Sequence, residues 1–444
     1  MKRSSLVHTG FSFLAAALLC LSTLGFSSAD ARAVEIREVT SPGGITAWLV
    51  EDYSVPIISM AVSFAGGSTQ DPQGREGMAE LISALFDEGA GPYDSKQFQA
   101  RIEKLGIDLS YSDARDEFTG SLRTLRDDRA QAFEMMRLSL SELHFEERSV
   151  ERMREAVLAN IERKRNSPSS KSSDALREAM FGTHPYGRES QGKSETVAAI
   201  SREEMIAHFN RLFARDNLKV GIVGAISPDE ARTMLDQVFG KLPDKAELTP
   251  VDDMVPEFGK SIRIDEDMPQ STITLIYPGV KRDAPDFFAA YLANHILGGG
   301  TFSSRLYDTV REKRGLAYSV NSTLATYRHA SFVAISAATR ADREEETLSI
   351  MRSETERLAK EGPTQAELDA AKKYVIGSYA INNLDSSTRI AGVLISLQTE
   401  NLGIDYIDTR AAKIAAVTLD DVRKAARKLF SATPTQVVVG PPRT

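Results

Sequence analysis

The chain has 444 residues, of which 42% are hydrophobic and 26% are charged, and its formal net charge is −8. This length suffices for two compact domains, and the acidic balance argues against a nucleic-acid partner, which binds basic surfaces. Cys20 is the only cysteine, so a disulfide framework and a metal site of several thiolates are both excluded.

The first residues have the pattern of an export signal. Lys2 and Arg3 precede an apolar run over residues 11–26, and residues 31–33 are a small-residue cleavage site of the A-x-A type. A membrane anchor is the alternative, but polar residues and a glycine interrupt the run. We therefore predict that residues 1–33 are a cleaved signal peptide, and that the mature protein is periplasmic, has no cysteine and is not held in the membrane.

The first half of the mature chain has the pattern of strands and amphipathic helices. A strand is predicted at Ile57–Phe64, and the apolar periodicity from Gly74 predicts a helix that ends at Gly89 and Gly91. A later helix over residues 155–165 precedes the string FGTHPYGRES at 181–190. A strand at Leu218–Val223 closes this half.

The second half repeats the same order of elements. A strand at Ser271–Tyr277 leads to a helix at Phe287–Leu297, then to an alternating strand at Leu316–Ser322, and Gln436–Val439 closes the chain. We predict an α+β protein of two homologous domains, each a mostly antiparallel sheet with helices packed on one face. The predicted domains are residues 34–241 and 259–444, joined by a proline-rich exposed linker at 242–258.

The most specific string is GGGTFSSRLYDTVREKRGLAY at 298–318. It resembles the C-terminal-domain signature of the pitrilysin/insulinase-type zinc peptidases, the superfamily that includes the mitochondrial processing peptidases. In that family an Arg and a Tyr seven residues apart reach towards the catalytic domain and hold the substrate. The matching positions here are Arg311 and Tyr318. With the two-domain organisation, the resemblance extends over nearly the whole mature chain.

The residue types at these two positions suit that role on chemical grounds. A guanidinium offers a planar fork of donors to a carbonyl or carboxylate, and a Tyr hydroxyl can donate to a developing oxyanion. The alternative is that Arg311 pairs with Asp308 or Glu312 on a helix surface and that Tyr318 is an ordinary sheet residue.

The three glycines before this motif allow two interpretations. Gly298, Gly299 and Gly300 let a backbone approach an extended peptide closely, and with Thr301 they are predicted to contact substrate. They also terminate a helix, and we expect that to be their main role.

The resemblance also shows what the chain lacks. In the family, His-x-x-Glu-His on the first helix supplies two zinc ligands and the general base, and a Glu on a later helix completes the site. Here the motif positions hold Glu80, Ser83 and Ala84, and the later position is occupied by Asn160, beside Ala159. A catalytic zinc needs three protein ligands and a base near its water. We predict that this chain binds no catalytic metal and that zinc resides on a partner.

The histidines lead to the same prediction without any family. Those beyond the signal are no closer than five residues to one another, so no local chelate exists, and each is predicted to be a packing or surface residue. They are His144, His184, His208, His295 and His329.

The sequence therefore predicts a non-catalytic, substrate-binding subunit of a heteromeric periplasmic zinc metallopeptidase. By the resemblance, Arg311 and Tyr318 act in trans on peptide substrates held by a related zinc-bearing subunit, in a heterodimer or a dimer of heterodimers. The alternative is a peptide-binding or scaffolding protein of the same fold. A hydrolase using Ser83, Ser303 or Ser304 is disfavoured because no His/Asp pattern or G-x-S-x-G context accompanies them.

Overall fold

The computed structural model describes residues 34–165, 167–300 and 302–443. The predicted signal peptide and Thr301 therefore lie outside the described residues. From residue 36 onward, both halves of the chain belong to one compact unit.

The first half of the chain forms a six-stranded sheet and a small hairpin. The strands are β1 (Arg37–Thr40), β2 (Thr46–Glu51), β3 (Ile57–Ala65), β4 (Gly89–Ala90), β5 (Tyr93–Asp94), β6 (Asp108–Asp113), β7 (Glu117–Leu125) and β8 (Leu218–Gly224). The sheet order is β1-β2-β8-β3-β7-β6, and β4 pairs with β5. The β2–β8 pair is parallel and the other pairs are antiparallel.

The second half forms a five-stranded sheet of matching design. Its strands are β9 (Ser261–Asp265), β10 (Gln270–Pro278), β11 (Ala317–Thr326), β12 (Ser331–Arg340) and β13 (Thr435–Gly440), in the order β11-β12-β10-β13-β9. Here too one pair, β13–β9, is parallel. Apart from β1, the strands of the two sheets correspond one to one, which is the pattern expected of a duplicated unit.

Helices separate the strands in both halves. The first half contains α1 (Met78–Ser83), α2 (Ser95–Leu105), α3 (Arg129–Ser141), α4 (Glu147–Arg165), α5 (Pro168–Phe181), α6 (Ser194–Ala198), α7 (Arg202–Leu212) and α8 (Pro228–Phe239). The second contains α9 (Phe287–Asn294), α10 (Glu344–Glu361), α11 (Gln365–Asn383), α12 (Ser387–Thr399), α13 (Tyr406–Ala416) and α14 (Leu419–Phe430). The predicted α+β fold class is confirmed.

Each sheet buries an apolar face against helices of its own half. On β3 the alternate residues Ile58, Met60, Val62 and Phe64 are almost fully buried in the first core. The period of two puts them on one face of the pleat, and each such side chain contributes about 1.5–3 kcal/mol.

The opposite face of each sheet is covered by a helix from the other half. Helix α12 packs on β3 and β8, where a Cβ at Gly221 would lie 2.7 Å from the carbonyl oxygen of Ala391. In return, Met180 and Phe181 of α5 pack on the second sheet beside Ile276. Each half therefore packs a helix on the sheet of the other half, and these contacts join the two halves. The sequence did not predict them.

Two predicted helices are shorter in the structure. Helix α1 ends at Ser83 instead of continuing to Gly89. From Leu85, whose N–H bonds three residues back to the carbonyl of Ile82, the turns tighten, and the chain then enters the β4–β5 hairpin. Helix α9 ends at Asn294, and a π-helical turn follows at His295–Gly299. Periodicity alone does not distinguish tightened or widened turns from regular helix.

The proline-rich segment 242–258 has no helix or strand and is mostly exposed. It is tied to both halves: the N–H of Thr249 donates to Gln70 Oε1 at 2.7 Å, and the N–H of Met254 donates to the carbonyl of His329 at 2.8 Å. The domain boundaries proposed on either side of it remain a prediction.

Within the described residues, no helix combines the length and the apolar character needed to cross a membrane.

Candidate functional site

The helix that carries the altered zinc motif is anchored by Asp71. This buried carboxylate accepts hydrogen bonds from the N–H groups of Gly77 (2.9 Å) and Ala79 (3.1 Å), at the N-terminus of α1. Burial raises the pKa of Asp71, and these two bonds act against that shift. A carboxylate at a helix N-terminus is favoured by the unpaired N–H groups there. Asp71 therefore holds the N-terminus of the helix that carries Glu80, Ser83 and Ala84.

Two of the motif positions face a carboxylate on β6. Ser83 Oγ lies 2.9 Å from Asp113 Oδ1 and 3.0 Å from the carbonyl oxygen of Glu80. Glu80 Oε1 accepts from Gln191 Nε2 at 3.3 Å. The Ser83–Asp113 hydrogen bond thus joins helix α1 to strand β6 at the place where the resemblance puts the metal.

Asp113 is the most perturbed group of this cluster. Burial raises its pKa to about 6, the nearby Glu80 carboxylate adds to the shift, and the bond from Ser83 opposes it. The cost of holding a buried charge next to another carboxylate accounts for the direction.

These side chains do not fit a zinc ion. Ala84 has no donor atom, and the amide oxygen of Asn160 accepts from Arg163 Nη2 at 2.8 Å. Glu80 and Asp113 remain as oxygen donors, with no imidazole beside them, whereas zinc sites take three protein ligands and favour nitrogen or sulfur among them. In the part of the chain that the structure describes, no group of three or more His, Cys, Asp or Glu residues is arranged to hold a metal ion.

The Asp113 carboxyl makes a pH-dependent contribution to stability that can be measured. Its pKa is raised on folding, so the folded state binds more protons between about pH 4 and 6, and the stability it provides is lost as the pH rises through that window. We expect Asp113→Asn to stabilise the protein at pH 7.5 by about 1–2 kcal/mol, and the gain to vanish below pH 4, because the amide keeps an acceptor for Ser83 without the charge.

Urea unfolding of both proteins across pH 4–8 measures this difference. Asp108→Asn, an exposed carboxylate on the same strand, is the control and should change stability by less than about 0.5 kcal/mol. A variant less stable than the parent protein at pH 7.5 would mean that the Asp113 carboxylate is held by favourable contacts.

The five predicted structural histidines occupy separate places. His144 Nε2 lies 2.7 Å from the carbonyl oxygen of Gly91, and the ring of His295 stacks on Tyr374 at 5.3 Å. His184 and His329 both contact the ring of Tyr186. The geometry of these four matches the predicted packing roles.

His208 has a partner that sequence reasoning missed. Its Nε2 lies 3.8 Å from Asp71 Oδ1, and Arg211 donates to its Nδ1 at 3.2 Å. Burial lowers its pKa to about 4, and the charge of Arg211 adds to that effect. The neutral imidazole of His208 thus lies beside Asp71, the residue that anchors the N-terminus of α1.

The two residues of the Arg/Tyr pair differ in exposure, because Arg311 is half-buried and Tyr318 is exposed. Arg311 lies on a π-helical turn at Tyr307–Glu312, with its guanidinium carbon 4.8 Å from the centre of the Tyr307 ring. Asp308 pairs instead with Lys313, and no carboxylate among the described residues lies within ion-pair distance of Arg311. The suggested surface pairing of Arg311 with Asp308 or Glu312 is therefore not formed.

Tyr318 has an unusual exposure for a strand residue. Its side chain is 90% exposed, and it is the extra residue of a register break between Ala317 and Ser319 on β11, the edge strand of the second sheet. A β-bulge redirects a side chain and interrupts pairing locally. The bulge places the hydroxyl of Tyr318 in solvent beside the edge of the sheet.

Of the glycines before the motif, Gly298 packs against β11 and Gly300 packs against His295. A Cβ at Gly298 would lie 2.8 Å from the backbone nitrogen of Ser322, and one at Gly300 would lie 3.0 Å from His295 Nε2. Asn294 and Ser322 add two hydrogen bonds across the same contact. Close packing explains these two glycines. The substrate contact predicted for Gly298, Gly299 and Gly300 stays a prediction, and Thr301 lies outside the described residues.

Sequence reasoning missed Asp113 and Gln191 as members of the motif cluster. The alternation of side chains along β6 could have indicated Asp113, because it lies on the same half-buried face of the strand as Leu109 and Tyr111. Nothing local pointed to Gln191, which lies on an irregular loop 111 residues away from Glu80.

Comparison with known proteins places this geometry in a family. A model described as insulinase (peptidase family M16) matches residues 47–193, and one described as the peptidase M16 inactive domain matches residues 199–375. A solved structure, a peptidase M16 inactive domain from Pseudomonas fluorescens, superposes with a TM-score of 0.86 at 30% identity, covering 92% of this chain and 98% of that one.

Two relatives in sequence carry contrasting names. The uncharacterized zinc protease SCO5738 of Streptomyces coelicolor is 26% identical over 419 residues, which is 91% of this chain and 90% of that protein. The non-peptidase homolog YmxG of Helicobacter pylori is 23% identical over 342 residues, which is 77% and 79% of the two chains. With a solved relative matched over nearly its whole length, the chain belongs to the insulinase (M16) peptidase family.

Proposed function

We propose that this protein is the non-catalytic, substrate-binding subunit of a heteromeric zinc metallopeptidase in the periplasm. A related subunit with an intact His-x-x-Glu-His motif supplies the zinc and the general base. This chain supplies Arg311 and Tyr318 to the same active site, in a heterodimer or a dimer of heterodimers. The N-terminal signal pattern of the sequence supports the location.

The observation that carries the proposal is the contrast between the two motifs. The zinc-motif helix holds Glu80, Ser83 and Ala84, which cannot assemble a zinc site, whereas Arg311 lacks a carboxylate partner among the described residues and Tyr318 is 90% exposed. In the isolated chain Arg311 stacks on Tyr307 without an ion pair among the described residues, and the side chain of Tyr318 lies in solvent at the sheet edge. Contact with a second chain and its substrate would give both a use.

The chemistry available to the pair is specific. The guanidinium can donate two parallel hydrogen bonds to a peptide carbonyl or carboxylate and so fix the register of the substrate. The Tyr318 hydroxyl can donate to the oxygen that becomes negative when water attacks the scissile carbonyl. The stacking of Arg311 on Tyr307 limits the freedom of the guanidinium before substrate arrives.

Reconstitution tests the proposal directly. The isolated chain is expected to leave a fluorogenic peptide library uncut, and addition of a related His-x-x-Glu-His subunit from the same genome should produce cleavage above the rate of that subunit alone. Size-exclusion chromatography of the mixture should show co-elution. If the zinc-bearing subunit is equally active with and without this chain, the protein is a scaffolding or peptide-holding relative instead.

A further inference from the structure

We propose that a basic cavity next to the motif helix binds the carboxylate of a peptide. The cavity has a volume of about 560 Å³, within the range of ligand sites, and is bounded by the end of α4, the start of α5 and the loop before α6. We call it the basic cavity. Because it names a class of substrate, this inference rests on the proposed function. The binding of a peptide to the cavity can nevertheless be measured on this chain alone.

The charge of the basic cavity is opposite to that of the protein. Its wall carries five cationic side chains and three carboxylates, in a chain whose formal net charge is −8. The cationic side chains are Arg115, Lys164, Arg165, Arg177 and Lys193.

The acidic groups of the wall do not neutralise these cations evenly. Arg177 forms ion pairs with two of the three carboxylates. Its guanidinium nitrogens lie 2.8 Å from Asp174 Oδ1 and 3.8 Å from Glu189 Oε2. Burial raises the pKa of Glu189, and the charges of Arg177 and Lys193 act against that shift. Among the described residues, Arg115, Lys164 and Lys193 have no carboxylate within ion-pair distance. The cavity therefore keeps a positive excess available to a ligand.

Neutral hydrogen-bonding groups complete the wall. Five serine hydroxyls line the cavity: three on α5, one on the loop before α6 and one at the first residue of α6. They are Ser169, Ser170, Ser173, Ser190 and Ser194. Small hydroxylated side chains leave room for a ligand. Apart from Ser194, whose hydroxyl donates to Glu162 Oε1 at 3.0 Å, they can donate to its oxygens, as the ammonium groups of lysine do. A wall of cationic and hydroxyl groups favours a small anion. In an unmodified peptide the anionic group of this kind is a carboxylate.

Hydrogen bonds through Gln191 link the basic cavity to the altered zinc motif. Gln191, in the cavity wall, accepts a hydrogen bond from Lys164 Nζ at 2.6 Å and donates from Nε2 to Glu80 Oε1 at 3.3 Å. A peptide whose acidic group is held by Lys164 would lie beside α1, where the family resemblance puts the metal of a zinc-bearing subunit. The carboxylate could belong to the C-terminus of the peptide or to an acidic side chain.

Fluorescence anisotropy with the isolated full chain tests the inference. One short uncharged labelled peptide is made in three forms: with an amidated C-terminus, with a free C-terminal carboxylate, and amidated with one internal Gln changed to Glu. We expect at least one carboxylate form to bind about 10-fold tighter than the neutral form, the size expected for a charge-assisted hydrogen bond. The form that gains shows which source of carboxylate the cavity accepts.

The matched variants decide whether the basic cavity is responsible. Lys164→Gln with Lys193→Gln should abolish the preference, whereas Lys424→Gln with Lys428→Gln, which removes the same charge at a distant cavity, should preserve it. Equal binding of all three peptides, or a preference that survives Lys164→Gln with Lys193→Gln, overturns the inference. The inference is also overturned if inorganic phosphate displaces all three peptides and the chain shows no preference among them.

Failure of this inference is distinguishable from failure of the proposed function. If the reconstituted complex cleaves neutral and acidic peptides equally well, the carboxylate site is wrong and the subunit role stands. If no complex forms but the isolated chain still prefers carboxylate peptides through Lys164 and Lys193, the site stands and the subunit role is wrong.

Discussion

Arg311→Ala should lower the turnover of the reconstituted peptidase by about 10²–10³-fold, and Tyr318→Phe should do so by a similar factor. In the proposed function, each substitution removes hydrogen-bond donors that act on the scissile peptide in the transition state. Because Tyr318 is 90% exposed and Arg311 lacks an ion-pair partner among the described residues, neither change should destabilise the chain. The measurement is kcat/KM with a fluorogenic peptide, with complex formation checked by size-exclusion chromatography.

Matched substitutions elsewhere control for general effects. Arg357→Ala removes an arginine whose side chain is 45% exposed on α10, and Tyr53→Phe removes the hydroxyl of another exposed tyrosine. Both should leave turnover within about 2-fold, since surface changes away from the site have small effects. Unchanged turnover in Arg311→Ala and Tyr318→Phe would remove the in-trans role and favour scaffolding.

Tyr186→Ala should cost about 3–5 kcal/mol of unfolding free energy, the largest stability effect we expect in this chain. The side chain is fully buried where the two halves meet. Its hydroxyl donates to Asp116 Oδ2 at 2.5 Å and accepts from the N–H of His329 at 3.0 Å. Its ring packs edge-on against Phe181 from its own half and Tyr327 from the other.

A second variant separates the hydroxyl from the ring. Tyr186→Phe keeps the packing but leaves Asp116 and the N–H of His329 without this partner, so it should cost about 1–3 kcal/mol. Urea unfolding followed by circular dichroism measures both variants, with Tyr53→Ala as an exposed control. A loss below 1 kcal/mol for Tyr186→Ala would show that this tyrosine does not hold the halves together.

Local patterns predicted much of the fold. The strands at Ile57–Ala65 and Gln270–Pro278 were found within one or two residues, because apolar side chains recur with the period of a pleated strand. The repeated order of elements predicted two similar sheets. By contrast, the packing of α12 on the first sheet and of α5 on the second depends on contacts far apart in the chain, which periodicity does not encode.

The candidate site shows the same division. The loss of donors at Glu80, Ser83 and Ala84 was evident from residue types alone. The structure adds Asp113, which bonds Ser83 from a strand 30 residues later, and Gln191, which joins Glu80 to the basic cavity. Such partners are set by tertiary packing, so only the three-dimensional structure brings them together with the motif.

The most direct test of the account is the zinc content of the isolated mature chain. The protein is incubated with excess zinc, freed of loosely bound metal by gel filtration, and measured by plasma mass spectrometry together with a peptide-cleavage assay. The account predicts substoichiometric zinc and no cleavage, because Glu80, Ser83, Ala84 and Asn160 cannot assemble a ligand set. One tightly held zinc per chain, with cleavage that a chelator abolishes, would contradict it.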